Sequence, residues 1–462
     1  MSIAATLTSA RRKPLAICIA ALFALSATPA IANTINVSNC ADNGAGSLRS
    51  AIASAISGDT INMTGLVCSS ISLTTGAIHI LQSDLTVTGP TNNIVIDHFY
   101  ASPSDRILVH NGAGTLTLNN LDIRHGYAST TNGTILGGCI YSAGTVALTN
   151  SRVTSCRVGA TGSSSNKTKG GGIFAKKDIK LSNSQVSFNT AYANPGFSYG
   201  GGAFSDGTFE ADSSIVTYNI AQGSDVVGPR GYGGGLFLRQ GSTISGSTIS
   251  NNYANANAGG ILFLNNAINT ISNSTISNNS AGGGAGGILA VDGSLYLNQT
   301  TVAFNIDNGG QLAGKQLSAG VTALALSEQV SVHLQSALIS NNTRNSTSPP
   351  MPTDFAAIDG STPLEIVTVT GAKNLIYSHV GNVPNDTISA CPLLGPLKNN
   401  GGPTRTHALL SRSPAIDQGS ASQSFDQRGS PFVRQSNSVA DIGAYEVQKN
   451  DVIFNTTFEN CP

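Results

Sequence analysis

The sequence has no tryptophan, only three methionines and few charged residues, which make up 10% of the 462 positions, against roughly 25% in typical soluble proteins. Its 24 basic residues balance its 24 acidic residues, so the formal net charge is zero. This balance gives no electrostatic reason to expect nucleic acid or an anionic membrane surface as a partner. The low charge and the many β-branched residues argue against disorder and favour β structure.

Long apolar runs are also scarce. The stretch PLAICIAALFALSA follows the basic residues 11–13 and precedes a small-x-small site at residues 30–32, which is the pattern of a cleaved signal peptide. We therefore expect residues 1–32 to be removed and the mature chain to start at Asn33. Beyond that point no run reaches the roughly 18 apolar residues of a membrane helix. The mature chain is expected to lack a transmembrane segment and to be secreted or held at the cell surface.

Six cysteines remain after the predicted signal peptide, an even number that indicates disulfides in an oxidising compartment. None of their spacings matches the C-x2-4-C pattern of a zinc site, so no metal or other cofactor is predicted from them. Several pairings are possible. The simplest follows the order of the sequence: Cys40 with Cys68, Cys139 with Cys156, and Cys391 with Cys461.

The chain is internally repetitive. GGGIFAKKDIKLSNSQVSFNTA begins at Gly170, and GGGAFSDGTFEADSSIVTYNIA begins 30 residues later at Gly200. Each copy contains three short alternating runs bounded by glycine or asparagine, the pattern of short strands separated by bends. A Gly-Gly-apolar landmark returns every 25 to 33 residues. Three strands per unit, without a helical period, predict one coil of a parallel β-solenoid.

Stacking such coils predicts two ladders. One is aliphatic and faces inward: Val153, Val186, Val216, Ile249, Ile276, Val302 and Ile339. The other lies at a bend, where asparagine tolerates the left-handed conformation and stacked amides can bond from coil to coil. Its members are Asn189, Asn219, Asn252, Asn279, Asn305 and Asn342. Cys156 takes the asparagine position and Cys139 a glycine position in one coil, so these two cysteines should lie close enough to bond.

The open ends of a solenoid need caps. At the first end, Ser47 can N-cap a short helix that places Leu48, Ile52 and Ile56 on one face. We assign residues 33–60 to this N-terminal cap and residues 61–345 to the repeats.

Two regions resemble known exported proteins. NGAGSLRSAI…GDTI and LTVTGP…IVID resemble the opening of exported bacterial right-handed parallel β-helix proteins, some of which carry a C-S-L-R-E-A motif; Ser50 stands where that motif has glutamate. LLGPLKNNGGPTRTHALLSRSPAIDQG, FDQRG and DIGAYE, between Leu393 and Glu446, resemble the module called the choice-of-anchor Q domain. The resemblance implies a Gram-negative, exported, all-β protein: a right-handed parallel β-helix with three short strands per coil and a C-terminal β/loop cap. It assigns residues 346–447 to the module and 448–462 to a tail.

A polar patch is the first candidate site. IDHFYAS and IRHGYAS lie 27 residues apart, or one coil, which places Asp97 beside Arg124 and His98 beside His125, with Asp122 on the same outer face. The stretch VIDH resembles one found in pectate lyases, which implies an arginine base and calcium held by carboxylates. The missing tryptophan and the lack of further clustered aspartates favour an exposed Asp–Arg pair instead.

The insertions between each asparagine and the next Gly-Gly are the second candidate site. They should cluster on one edge of the solenoid, the usual binding side of repeat proteins, although ordinary solvent loops are the alternative. Their candidate ligand-binding residues are Tyr192, Tyr199, Arg230 and Tyr232. A further aromatic column follows the glycines and could face sugar rings or, as we favour, the core. It consists of Tyr141, Phe174, Phe204 and Phe237.

These features predict a monomeric binding protein, adhesin-like or glycan-binding, whose partner is an extracellular polysaccharide or a cell-surface component. No catalytic set is recognisable. The alternative is a polysaccharide lyase or glycosidase, since this fold serves such chemistry in other exported proteins, and a lyase would require calcium.

Overall fold

The computed structural model describes residues 32–98, 105–226, 228–264, 266–309, 311–312, 314–449 and 451. The predicted signal peptide, apart from residue 32, lies outside this part of the chain, as does Cys461. The described residues form a parallel β-helix with almost no helix, in which each coil gives one short strand to each of three long sheets. The predicted fold class is confirmed.

We name the three long sheets A, B and C. Within the described residues, sheet A has 12 strands and sheets B and C have 11 each. The strands of sheet A are Thr34–Asn36, Thr60–Asn62, Leu85–Thr88, Thr115–Asn119, Thr145–Thr149, Ile179–Ser182, Phe209–Asp212, Ser242–Ser245, Ile268–Ser272, Gly293–Asn298, Val330–Gln335 and Val367–Ala372. Those of sheet B are Ser70–Ser72, Ile94–Asp97, Leu121–Arg124, Arg152–Thr154, Gln185–Ser187, Ile215–Thr217, Thr248–Ser250, Thr275–Ser277, Thr301–Ala303, Leu338–Ser340 and Leu375–Ile376. Those of sheet C are Ile78–Ile80, Leu108–His110, Ile140–Ser142, Ile173–Ala175, Ala203–Ser205, Leu236–Leu238, Ile261–Leu264, Ile288–Val291, Val321–Leu324, Phe355–Ile358 and His379–Val380.

The insertions add two further sheets between B and C, so the central coils contain more than the three predicted strands. The strands of sheet D are Tyr127–Thr130, Arg157–Thr161, Thr190–Asn194, Ile220–Asp225, Gly228–Pro229, Tyr253–Ala254, Ser280–Ala281, Ile306–Asp307, Thr343–Arg344 and Met351–Pro352. Those of sheet E are Thr134–Leu136, Lys167–Lys169, Phe197–Tyr199 and Gly231–Tyr232. A separate two-stranded hairpin pairs Gln311–Leu312 with Lys315–Gln316.

The core is a continuous column of aliphatic side chains inside sheets A, B and C. Every member of the predicted aliphatic ladder is at most 1% exposed, and consecutive members are register partners in sheet B, as Val186 and Val216 illustrate. Alternate residues of each short strand point inward because the side-chain period of a strand is two. The stacked strands continue beyond residue 345, as far as His379–Val380.

The asparagine ladder is confirmed along its whole length. The Nδ2 of Asn252 donates to the Oδ1 of Asn279 at 2.9 Å, and the same bond recurs at each step from Asn189 to Asn342. At its far end Asn342 donates to the buried carboxylate of Asp354 at 2.9 Å. Burial raises the pKa of Asp354 to about 6.

Direct contact explains why glycine pairs and asparagines recur together. A Cβ on Gly171 would lie 2.5 Å from the carbonyl carbon of Thr190, and one on Gly172 would lie 2.9 Å from the Cγ of Asn189. The chain entering sheet D therefore passes directly over the glycines, and only residues without a side chain leave room for it.

Cys139 and Cys156 replace this glycine–asparagine contact with a disulfide in one coil, with Cα atoms 5.4 Å apart. Cys40 and Cys68 form a second disulfide, so both of these predicted pairings are confirmed. Cys391 is also disulfide-bonded, while Cys461, its predicted partner, lies outside the described residues.

The predicted N-terminal helix is present at Leu48–Ser54, but it ends before Ile56, which is 49% exposed rather than on the buried face as predicted. Ser47 is its N-cap and accepts a hydrogen bond from the amide of Ser50, and Leu48 and Ile52 are buried against the first coil. The helix therefore covers the open end of the core.

The C-terminal segment, residues 381–451, does not simply close the other end. Ile388 bridges to Leu375 at the end of the solenoid, but the chain then runs back along the outer face of sheet B. There His407 Nε2 lies 2.8 Å from Ser277 Oγ, and Thr248 donates to the carbonyl of Arg405 at 2.6 Å. The predicted cap is thus largely a lateral cover with its own small hydrophobic core.

Candidate functional site

Three of the candidate catalytic residues, Asp97, Asp122 and Arg124, lie on the outer face of sheet B. The other two, His98 and His125, directly follow the strands Ile94–Asp97 and Leu121–Arg124. Asp97 and Arg124 are register partners on adjacent strands, because the 27-residue offset is one coil. The Oδ2 of Asp122 lies 2.9 Å from the Nη2 of Arg152 in the following coil. Asp97 accepts a hydrogen bond from Ser72 Oγ at 2.9 Å. The sheet register therefore brings carboxylates and guanidinium groups of successive coils side by side.

Part of this patch is buried without hydrogen-bond partners. Asp122 is 5% exposed and His98 is 4% exposed. The Oδ1 of Asp122, the Nε of Arg124 and the Nε2 of His98 are buried atoms that make no hydrogen bond. Each such atom costs roughly 1–3 kcal/mol. These atoms have almost no accessible surface, so the patch carries a desolvation cost that no internal hydrogen bond offsets.

His125 follows Arg124 at the turn that leaves sheet B. Its pKa is lowered mainly by burial and then by the neighbouring Arg124, while Asp97 and Asp122 oppose the shift. The imidazole is therefore favoured in its neutral form, in which one ring nitrogen donates and the other accepts.

Three of the four residues predicted for ligand binding on the insertions lie together, and Tyr192 is the exception. Tyr192 lies on the outer face of sheet D, where the guanidinium of Arg157 is 5.3 Å from its ring centre. Tyr199 and Tyr232 lie on sheet E and stack on each other at 5.7 Å. Arg230 is paired with Asp225 at 2.8 Å and also forms a side-chain hydrogen bond with Tyr232. Arg230, Tyr232 and Tyr199 therefore form one group, separate from Tyr192 on sheet D.

Three of the four residues in the aromatic column of sheet C are buried, although they face away from the main core, and the fourth, Tyr141, is partly buried. Phe174, Phe204 and Phe237 are at most 4% exposed and belong to a second hydrophobic cluster. Tyr199 of sheet E packs edge-on against Phe237 at 5.1 Å. The insertion thus folds over the column and makes it core, which removes it as a surface for sugar rings.

One exposed aromatic pair, Phe188 and Tyr218, was not predicted from the sequence. Their rings stack at 4.9 Å with an interplanar angle of 3°, and they are 56% and 44% exposed. Both occupy the turn between sheets B and D with φ of 56°. The only available signal was an aromatic residue directly before the ladder asparagine, where Ser155 and Asn251 stand in neighbouring coils.

The turn between sheets B and D lies between the polar patch on sheet B and the tyrosine-bearing face of sheet D. His125, Ser155, Phe188 and Tyr218 occupy it in successive coils, all with positive φ. Beside it, on the outer face of sheet D, Arg157 lies between the rings of Tyr127 and Tyr192 at 5.5 and 5.3 Å. We call this surface the BD edge. It consists of His125, Tyr127, Ser155, Arg157, Phe188, Tyr192, Tyr218, Ile220 and Tyr253.

Two shallow grooves lie elsewhere. One, of about 480 Å³, runs over the outer face of sheet A and contains the exposed Lys180–Glu210 pair. The other, of about 390 Å³, follows the turns between sheets A and B and is bordered by Arg152 and Pro403. Within the described ranges, no group of three or more His, Cys, Asp or Glu side chains is placed to hold a metal ion. The same residues include no helix long and apolar enough to cross a membrane.

Comparison of the chain with protein-family models, with characterised proteins and with solved structures finds no match. The described chain is thus defined by its class alone: a disulfide-bonded parallel β-helix with a laterally packed C-terminal segment. Its function has to be argued from the chemistry of its surfaces.

Proposed function

We propose that this is an exported, adhesin-like protein that binds a glycan of the cell surface or the extracellular matrix along the BD edge. The observation that carries the proposal is the stacked and exposed pair of Phe188 and Tyr218. The resemblance of the chain to exported β-helix proteins with a choice-of-anchor Q domain is part of the same proposal.

Exposed aromatic rings suit sugars because the C–H face of a pyranose is apolar, while its hydroxyl groups need polar partners nearby. Exposed apolar surface rimmed by polar groups is typical of interaction sites, and tyrosine provides both a ring and a hydroxyl. The BD edge supplies this combination: Phe188 and Tyr218 offer rings, and Arg157 and His125 offer donors close by. Ser155 precedes Phe188 in the turn column and is exposed, so no third ring covers that side of Phe188.

Export is supported by the signal-peptide pattern of the first 32 residues and by the two disulfides, because disulfides persist in oxidising compartments. N-terminal sequencing of the protein from culture medium or cell envelope tests this part. The expected first residue is Asn33, and a protein that retains residues 1–32 in the cytoplasm would contradict export.

Binding is tested with purified mature protein on an array of neutral and acidic glycans, followed by calorimetric titration of the best ligand. Replacing both Phe188 and Tyr218 by alanine should lower the affinity at least tenfold, because one base or ring stacked on an aromatic side chain contributes about 1–3 kcal/mol in comparable open sites. Tyr296→Ala is the matched control, since Tyr296 lies on the outer face of sheet A. Unchanged affinity in the double variant would remove the BD edge as the binding surface.

A second candidate function, polysaccharide lyase or glycosidase, is favoured by one observation: the unpaired atoms of Asp122 and Arg124 beside Asp97. In a lyase, Arg124 would act as the base, and Asp97 and Asp122 would hold calcium. The test follows chain shortening and unsaturated products, with and without calcium. Shortening that Arg124→Ala abolishes would establish the enzyme, while intact polymers would leave binding as the function.

A further inference from the structure

We propose that the face of sheet E turned away from sheet D is a second binding site, which takes an acidic polysaccharide built from uronic acids. The proposal goes beyond the proposed function, because this surface lies apart from the BD edge and selects a ligand by its charge. We call it the E face. It consists of Lys167, Lys169, Phe197, Tyr199, Arg230 and Tyr232.

The strand register brings these side chains onto one side of sheet E. Lys167 pairs with Phe197, and Lys169 pairs with Tyr199 in the same two strands. Tyr199 pairs in turn with Tyr232 in the next coil. Because the side-chain period of a strand is two, residues 167 and 169 point to the same side, as do residues 197 and 199.

The residues between them point to the opposite side, which is buried against sheet D. Thr168 and Ser198 are fully buried, and the Oγ of Ser198 donates to the carbonyl of Gln222 of sheet D at 2.9 Å. Sheets D and E therefore pack back to back. The E face and the BD edge lie on opposite sides of this pair of sheets.

The aromatic side chains of the E face form one connected row. The ring centres of Phe197 and Tyr199 are 6.1 Å apart, those of Tyr199 and Tyr232 are 5.7 Å apart, and both pairs are stacked. The guanidinium of Arg230 lies 5.2 Å from the ring centre of Phe197. All four side chains are partly exposed, so a ligand can reach them.

Two lysines of the E face carry charges that no carboxylate of the described residues pairs with. Neither Lys167 nor Lys169 forms an ion pair there. Lys167 is exposed, whereas Lys169 is partly buried, with its ammonium 4.5 Å from the ring centre of Phe204. Burial lowers the pKa of Lys169, which is the cost of keeping an ammonium group away from water. A bound anion would offset that cost.

The carboxylates that border the E face are already engaged. Asp225 lies 2.8 Å from Arg230, and Asp206 lies 3.1 Å from Arg239. The positive charge of the two lysines is therefore left over, in a chain whose formal net charge is zero. A surface with an excess of one charge attracts ligands of the other sign, so the complementary ligand is an anion.

The geometry favours a polysaccharide over a nucleic acid. Within the row the ring faces are turned to each other or to Arg230, so they do not offer open faces for nucleobases. The ammonium groups and the tyrosine hydroxyls instead donate hydrogen bonds, which match carboxylates and hydroxyls. Lys169, Tyr199 and Tyr232 follow one another at the coil spacing of about 4.8 Å, so an extended acidic chain along the solenoid axis contacts them in succession.

The test is calorimetric titration of the mature protein with oligogalacturonate and with the same oligomer after its carboxyl groups have been reduced to alcohols. The acidic oligomer should bind more tightly than the reduced one. Its affinity should fall as the salt concentration rises from about 0.1 M to about 1 M, because the screening length shortens from about 10 Å to about 3 Å.

Replacing both Lys167 and Lys169 by glutamine should lower the affinity for the acidic oligomer about five- to thirtyfold. The matched control replaces Lys180 and Lys373 by glutamine. It removes the same charge from sheet A and from the turn after its last strand, and it should leave the affinity unchanged.

Lys167→Glu is a second variant in case the change at Lys169 disturbs the packing on Phe204. Lys167 is exposed, so thermal unfolding should stay close to that of the wild type while affinity for the acidic oligomer falls. No binding of that oligomer, equal affinity for its reduced form, wild-type affinity in both E face variants, or tighter binding of single-stranded DNA would overturn the proposal.

The Phe188/Tyr218 double variant separates this site from the proposed function. It should bind oligogalacturonate like the wild type, because its altered side chains belong to the BD edge. Loss of oligogalacturonate binding in that variant, with normal binding in the lysine variants, would overturn the E face and support the BD edge. Loss only in the lysine variants supports the E face, whatever the BD edge does with neutral glycans.

Discussion

The outer face of sheet B has the same repeating strand pattern along its length, but the C-terminal segment covers only one part of it. From Thr248 onward it is covered by the C-terminal segment, and its outward side chains are small hydroxyl residues that bond to that segment. Ser277, for example, contacts His407, and Thr275 donates to Gln427 at 2.6 Å. From Ser70 to Ile215 the corresponding positions carry Asp97, Asp122, Arg124 and Arg152. The covered half is an internal interface with the C-terminal segment, whereas the charges of the open half bond to neighbouring coils of the solenoid, as Asp122 does with Arg152.

The turn column shows the same contrast at a single position. Phe304 stands in the covered half, where its ring is 4.9 Å from that of His407. Phe188 and Tyr218 occupy the equivalent position in the open half and contact only each other among aromatic rings of the described residues. Equivalent residues in a repeat therefore serve packing or binding according to what lies over them.

The largest effect is expected in the covered half, at the ion pair of Arg428 and Asp426. Arg428 is 1% exposed at its side chain, lies 2.6 Å from Asp426, and is stacked between Phe432 and Tyr445. Arg428→Ala leaves Asp426 charged and buried, so the free energy of unfolding should fall by about 3–5 kcal/mol. Urea denaturation of the variant and the wild type measures this difference in the free energy of unfolding.

The matched control for that substitution is Lys180→Ala. Lys180 pairs with Glu210 at 2.9 Å on the surface of sheet A, where both side chains are about half exposed, so its loss should change little. Equal destabilisation by the two substitutions would show that the buried ion pair of Arg428 contributes no more to stability than the exposed pair of Lys180.

A smaller effect is expected from the two phenylalanines of the turn column. Phe304→Ala should lower the free energy of unfolding by about 2 kcal/mol, because its ring packs against His407 and the third hydrophobic cluster. Phe188→Ala should cost less than about 1 kcal/mol, since its ring is 56% exposed, and should act on glycan affinity instead. Thermal unfolding and glycan titration of both variants test the pair, and a reversed order would break the distinction between covered and open halves.

The smallest effect is a pH dependence confined to the covered half. Burial raises the pKa of Glu446 to about 7 and that of Asp441 to about 6. A carboxyl with a raised pKa in the folded state stabilises that state at low pH, and this contribution is lost as the pH rises through the folded-state value. Burial lowers the pKa of His407 to about 4, which acts in the opposite direction below pH 6.5.

The informative window therefore lies above pH 6.5, where His407 is neutral in the folded state and less than half protonated in the unfolded state, so that Glu446 dominates the dependence. Between pH 6.5 and pH 8 the C-terminal segment should become severalfold more sensitive to limited proteolysis, while the strands of sheet A stay protected. Glu446→Gln should flatten the dependence because it keeps the neutral form at every pH. A profile that Glu446→Gln leaves unchanged would assign the effect to another group.

The repeat, the two ladders and two of the disulfides could all be predicted from the amino-acid sequence. These features depend on contacts between residues whose spacing the repeat specifies. Glycine contacts asparagine where the chain passes from sheet B to sheet D, and equivalent residues contact each other from one coil to the next. The position of Cys139 at a glycine site and of Cys156 at an asparagine site was therefore sufficient to pair them. The juxtaposition of Asp97 and Arg124 followed from the same one-coil offset.

Which of these surfaces are covered depends on the tertiary structure and could not be predicted from the sequence. The Phe204 column became core because sheet E folds over it, and Phe188 stayed exposed because the C-terminal segment begins its cover one coil beyond Tyr218. Both outcomes depend on packing between segments far apart in the chain, such as Thr248 with Arg405, 157 residues away. Strand alternation specifies the two faces of each strand, but it carries no information about what lies over the outer one.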